Sequence, residues 1–251
     1  MRVVLGGGSF EGSIVYIVNI DFDELDSYKT QLLESLPEAL NDKPYHLPEW
    51  RSLSEEAKVC FYQLGMLSTE FDENLIAAPF SFNMSEKLWK AASNSKAPDT
   101  TYLQHRLKTA LKRTLNRVPD FWFAYEVNHS ADNTGKPHLH GTMLLKPDEF
   151  KKVRDVFHQL NGEVTSDFKK FAIRFSSGKR RRLAKEIGDL QTNLKWALYC
   201  TKERATTRHY YLPGQSTTAA TRSVTQQAKK YHQQIYNSSK PQDEFASLRN
   251  L

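Results

Sequence analysis

His138, Leu139 and His140 open an apolar run, His-Leu-His-Gly-Thr-Met-Leu-Leu, over residues 138–145. On a strand, alternation turns both imidazoles to one face and sends Leu139 to the other, toward a core. Imidazoles two residues apart stand about 7 Å apart along a strand, so a shared divalent ion needs a third ligand from a neighbouring strand. Glu126 is the first candidate, the only carboxylate in Phe-Trp-Phe-Ala-Tyr-Glu-Val-Asn (121–128), on the face shared by Trp122 and Ala124. His129 competes, because three imidazoles also suit a divalent metal. A His/His/Glu set leaves coordination positions open and suits Mg²⁺, Mn²⁺ or Zn²⁺, with room for a phosphate oxygen. The second reactive feature is Tyr199-Cys-Thr-Lys202. On a helix Tyr199 and Lys202 face the same way. A phenol, with a pKa of about 10, attacks only where its phenolate is stabilised, and a nearby lysine with a metal-polarised phosphate does that together.

The elements that must position these residues follow from pattern. Ile14–Ile20 reads as a strand, and Leu25–Leu40 and Ser54–Thr69 as helices separated by Pro44 and Pro48. Phe80–Met84 is a short alternating strand, and Thr101–Val118 a helix with Leu103, Leu107, Ala110, Leu111 and Leu115 on one face, ended by Pro119. Phe121–Asn128 and His138–Leu145 read as strands joined through the loop residues Ser130–Lys136, hence a hairpin that brings Glu126 toward the histidines. Pro147–Leu160 reads as a helix, Lys170–Phe175 as a fourth strand and Asp189–Lys202 as the helix carrying the tyrosine. The fold class predicted is α+β, a central antiparallel sheet with a ferredoxin-like βαββαβ core flanked by helices. An N-terminal accessory region (1–76), a catalytic domain (77–212) and a polar C-terminal tail (213–251) complete the division. Within that tail only a polar helix near 223–236 is indicated.

Composition sets the partners. The chain has 251 residues, 39% hydrophobic and 12% aromatic, which fits a folded protein. Its net charge of +6 favours a polyanionic partner. Two cysteines, Cys60 and Cys200, imply no disulfide framework, and no apolar run reaches membrane-spanning length, so a cytoplasmic location is expected. The Gly6-Gly7-Gly8-Ser9 stretch lacks the Gly-Lys-Ser/Thr of a phosphate loop and reads as a flexible lead-in.

His138-Leu139-His140 followed by Tyr199-Cys-Thr-Lys202 resembles the HUH endonuclease superfamily. The order, histidines first and tyrosine later, is similar to rolling-circle replication initiators and single-tyrosine transposases, and departs from conjugative relaxases, whose tyrosine usually comes first. Phe80-Ser-Phe-Asn83 fits loosely as the initiators' first-strand motif. The resemblance runs from about Ala77 to Arg208. It implies that His138, His140 and Glu126 hold a divalent metal, Mg²⁺ or Mn²⁺ before Zn²⁺. It further implies that Tyr199 attacks a DNA phosphodiester, leaving a 5′-phosphotyrosine and a free 3′-OH, with Lys202 positioning the phosphate. Position 203 is Glu, so no second tyrosine follows one turn later, although Tyr210 and Tyr211 lie downstream. With no Walker A motif in the sequence, duplex unwinding is expected from a separate helicase.

Arg174, Lys179, Arg180, Arg181 and Arg182, then Arg204 and Arg208, are the candidate contacts to single-stranded or origin-hairpin DNA. Other readings are a transposase, a mobilisation relaxase, or a non-catalytic origin-binding module with an incidental histidine pair. His140-Gly-Thr142 is reminiscent of His-x-Thr phosphoesterases, but the second tripeptide those enzymes need is missing. The alternating third histidine of HIT hydrolases is likewise replaced by Thr142.

Overall fold

A computed structural model describes residues 48–66, 74–128, 136–175, 196–210 and 215–238. The expected strand 14–20 and helix 25–40, the hairpin loop with His129, and Lys179 to Arg182 lie outside the described residues, as does the first half of the predicted tyrosine helix. The elements are α1 (Glu55–Met66), β1 (Ile76–Asn83), α2 (Glu86–Ser93), α3 (Asp99–Leu115), β2 (Phe121–Asn128), β3 (Lys136–Leu145), α4 (Glu149–Asn161) and α5 (Ser166–Ala172). They continue with β4 (Ile173–Phe175), α6 (Arg204–Tyr210), β5 (Thr218–Ala220) and α7 (Arg222–Ser238). The fold is α+β: a five-stranded antiparallel sheet in the order β4-β1-β3-β2-β5, flanked by helices.

Both sheet faces are covered, which explains why β2 reads Phe-Trp-Phe-Ala-Tyr with apolar residues at every position. Phe121, Phe123, Tyr125 and Val127 join Phe80, Phe82, Leu139 and Met143 in a core against α2, α3 and α4. Trp122, Ala124, Leu144 and Ala77 face the other way, into a smaller core with Val59 of α1, Val224 of α7, Ala197 and Cys200. Trp122 anchors that layer by donating its indole N–H to Gln63 Oε1 at 3.0 Å. At the far end of β1, Asn161 closes α4 onto the sheet. Its Oδ1 accepts from Ser85 N at 2.7 Å and its Nδ2 donates to Asn83 O at 3.0 Å. Ser85 in turn caps α2, its Oγ accepting from Leu88 N.

Several expectations are corrected. The fourth strand, expected over 170–175, is only Ile173–Phe175. Residues 166–172 are helical because Thr165 caps them, its Oγ1 accepting from Phe168 N. β1 begins four residues before Phe80 and contains Pro79. The proline is tolerated there because β4 pairs only with Phe80–Phe82, so no ladder partner is lost on that side. The helix α2 was not anticipated, although Ser85-Glu86 and the Leu88/Ala92 spacing are its signals. The segments set apart as accessory region and tail also contribute to the fold. β5 pairs with β2, Val224 on α7 joins the second core with Val59 of α1, and Ala228 on α7 is buried. Gly65 of α1 lies so close to Ala228 and Gln227 that an added Cβ would meet Ala228 N at 3.1 Å. No helix among the described residues is long and apolar enough to cross a membrane.

Candidate active site

The β2–β3 register sets Glu126 directly opposite His138 and Ala124 opposite His140. On the other side, β1 places Ser81 opposite His140 and Asn83 opposite His138. Both histidines therefore share a face with Glu126, while Leu139 is buried in the opposite core, as alternation predicts. The imidazoles meet edge-to-face with centroids 4.5 Å apart. Glu126 Oε2 lies 3.3 Å from His138 Nε2 and 3.6 Å from His140 Nε2. All three side chains are buried, and one ligand atom from each lies within 4.8 Å of the others.

This donor set fits a divalent ion. Ligand atoms about 2.0–2.2 Å from a metal stand roughly 3–3.5 Å apart, close to the separations found between the carboxylate and each imidazole. Two neutral nitrogens and one carboxylate match Mn²⁺, Zn²⁺ or Mg²⁺ with positions left for a ligand oxygen. Ser81 Oγ lies 2.8 Å from His140 Nδ1. With the hydroxyl accepting a hydrogen bond from Nδ1–H, the tautomer is the one that leaves Nε2 bare as a ligand atom toward Glu126.

The turn that follows Tyr199 wraps around the carboxylate. Residues 196–199 are helical and 200–203 form a turn before α6, so the tyrosine helix is shorter than the expected run to Lys202. The Glu203 backbone N–H donates to Glu126 Oε1 at 3.1 Å, and Lys202 Nζ donates to Oε2 at 3.2 Å. Burial alone would raise the Glu126 carboxyl, but the His138 hydrogen bond, the Glu203 N–H and the Lys202 charge together hold it below its ordinary value. Burial alone would lower the Lys202 ammonium, yet the Glu126 charge and hydrogen bond hold it above the usual lysine value. Burial first, and then the neighbouring His138, push His140 down to about 4, so its imidazole is neutral and available as a ligand near pH 7.

Tyr199 is 48% exposed and stands against this group. Its ring is 5.4 Å from that of His140, and Lys202 Nζ lies 4.2 Å from its centroid, in cation–π contact. Trp196 stacks beside it at 5.7 Å and donates its indole N–H to Gly141 O at 3.3 Å, which fastens the tyrosine turn to β3. Gly141 is required by close approach: a Cβ there would lie 2.1 Å from Trp122 O. Burial pushes the Cys200 thiol well above its ordinary value, so the neighbouring cysteine is a packing group and not a competing nucleophile.

The structure thus gathers Glu126, His138, His140, Tyr199 and Lys202. It separates the basic candidates. Arg174 on β4 is exposed and lies over the Phe171 ring. Arg204 ion-pairs with Glu56 and with Glu55 (3.9 Å), its side chain only 18% exposed, so it ties α6 to α1. Arg208 lies in α6, and its side chain falls outside the described residues. Ser81, Gly141, Trp196 and the Glu203 N–H were missed by sequence reasoning. Only Gly141, beside the histidines, and Trp196, three residues before the tyrosine, carried a visible signal. Comparison of the chain with protein-family models, curated proteins and solved structures gives no match.

Proposed function

We propose that the chain is a metal-dependent, site-specific nickase and strand transferase of the HUH type, acting on single-stranded DNA to start rolling-circle-type replication. The observation that carries this reading is the meeting of an exposed tyrosine with a buried His/His/Glu group through one lysine. The strand order β4-β1-β3-β2 adds support, since it is the order of a ferredoxin-like βαββαβ unit.

Glu126, His138 and His140 would hold the ion, which supplies Lewis-acid polarisation of a phosphate oxygen when bound. Tyr199 Oη attacks the phosphorus of one phosphodiester. The new Oη–P bond forms as the P–O3′ bond breaks; the phenolic proton leaves to solvent and the departing 3′ oxygen takes one up. The products are a 5′-phosphotyrosine and a free 3′-OH, and the reverse steps rejoin the strand. Lys202, held charged by Glu126, places positive charge beside both the developing phenolate and the phosphate. Exposure of Tyr199 admits the strand, while the Trp196 and Glu203 contacts fix the turn, so much of the catalysis is positioning.

The test is a random pool of single-stranded oligonucleotides with Mn²⁺ or Mg²⁺, scored for a protein–DNA adduct on a denaturing gel. A metal-dependent adduct that disappears in Tyr199→Phe is the expected result. DNA binding without any adduct would overturn the nickase reading in favour of an origin-binding module.

A further inference from the structure

We infer that Phe171 and Arg174 form a second contact point for the same strand, stacking a nucleobase on the aromatic ring and holding a backbone phosphate on the guanidinium. This rests on single-stranded DNA as the ligand, as proposed above, and adds where the strand runs beyond the scissile phosphate.

Three observations converge at the β4 edge of the sheet. Phe171, at the end of α5, is 53% exposed, the most exposed large hydrophobic side chain among the described residues. Its placement is fixed, because its carbonyl accepts from Asn83 Nδ2 at 2.7 Å, and Asn83 is the cross-strand neighbour of His138. Arg174 pairs in register with Ser81, which pairs with His140, so all three share the face that carries the metal-binding group. Two strand spacings separate Arg174 from His140, about 10 Å. The Arg174 guanidinium lies 5.2 Å over the Phe171 ring, and among the described residues no carboxylate neutralises it. Lys170 of the same helix is paired with Asp167 and adds little, whereas Lys169 is exposed.

An exposed aromatic ring beside a guanidinium that no carboxylate among the described residues pairs, in a chain of net charge +6, matches a base and its phosphate better than it matches a structural role. The alternative aromatic platform, Trp196 with Tyr199, lies on the β2–β3 side, where Trp196 bonds Gly141 O. The metal-binding group therefore sits between two aromatic positions on one sheet face. A strand seated on both would cross the sheet from the β3 side toward β4, passing His140 between them.

The experiment titrates the full chain, without metal, into single-stranded oligonucleotides carrying 2-aminopurine at successive positions. Phe171→Ala is expected to weaken binding about ten-fold or more and to abolish quenching at one position, with Phe171→Trp restoring both. Arg174→Ala is expected to weaken binding and to reduce the salt slope by about one phosphate contact. Mn²⁺ affinity, measured separately, stays unchanged in both variants. The inference is overturned if Phe171→Ala, or equally Phe171→Leu, binds DNA as the unmodified chain does. The parent reading fails separately: wild-type protein that binds DNA through Phe171 yet forms no adduct keeps this contact and loses the nickase.

Discussion

Replacing Gly141 by Ala is predicted to damage the fold and the metal site together. The added Cβ would lie 2.1 Å from the carbonyl oxygen of Trp122 and 2.9 Å from Phe123 Cα, both backbone atoms of the neighbouring strand. Neither can swing aside as a side-chain tip does, so β2 and β3 must part by about 1 Å. Ladder hydrogen bonds near that point lengthen beyond useful range. Two weakened bonds at about 1 kcal/mol each, with overpacking of about 1–3 kcal/mol, give a loss of roughly 3–5 kcal/mol. For a protein of this size each kcal/mol lowers Tm by about 2–4 °C, so a fall of roughly 10 °C is expected by calorimetry. The same displacement moves Glu126 and Ala124 away from His138 and His140, their register partners. Isothermal titration with Mn²⁺ should therefore show weakened binding even well below the lowered Tm. A Gly141→Ala protein with unchanged Tm and unchanged Mn²⁺ affinity would refute the close-approach argument.

Three further outcomes follow from the site. Metal-free protein should lose stability as pH falls from about 6.5 to about 4, because the unfolded chain takes up a proton at His140 that the folded chain refuses; above that window the residue contributes no pH dependence. The shift to about 4 corresponds to a loss of about 3 kcal/mol at the acid end, read by urea denaturation, and His140→Gln should flatten that part of the curve. An identical decline in the variant would assign it to other groups. Ser81→Ala should weaken Mn²⁺ or Zn²⁺ binding about 10- to 100-fold with little change in Tm, and Ser81→Thr should recover most of it; equal affinity in all three would show that His140 needs no orienting partner. Arg204→Ala should cost about 1–2 kcal/mol by releasing α6 from Glu55 and Glu56, while the salt dependence of DNA binding stays as it was; a shallower slope would return Arg204 to the DNA surface.

The central hairpin was legible because period-two alternation fixes which side chains share a face. Leu139 had to oppose the histidines, and Glu126 was the only carboxylate on the matching face of its partner strand. The tyrosine turn was legible in part. Tyr199 and Lys202 do converge, but through a turn folded around a buried carboxylate, and sequence spacing on an assumed helix does not contain that carboxylate. The Arg204 ion pairs were hidden for a related reason: a basic cluster does not reveal that its acid partners, Glu55 and Glu56, sit some 150 positions earlier in the chain. β5 is three residues of Thr and Ala at a sheet edge, too short and too weakly β-forming to stand out from a polar tail. The alternation of Phe171, Ile173 and Phe175 reads as one strand from 170 onward, yet only Ile173–Phe175 is extended; the Thr165 cap, which decides for helix over 166–172, was the weaker signal.

The most direct measurement is peptide mass spectrometry of the protein–DNA adduct formed with Mn²⁺ and a single-stranded oligonucleotide. The account predicts one modified peptide, containing Tyr199 joined to the 5′-phosphate of the cut strand, and a released fragment ending in a 3′-OH. Attachment at Tyr210 or Tyr211, or a 3′-phosphate on the linked strand, would contradict it.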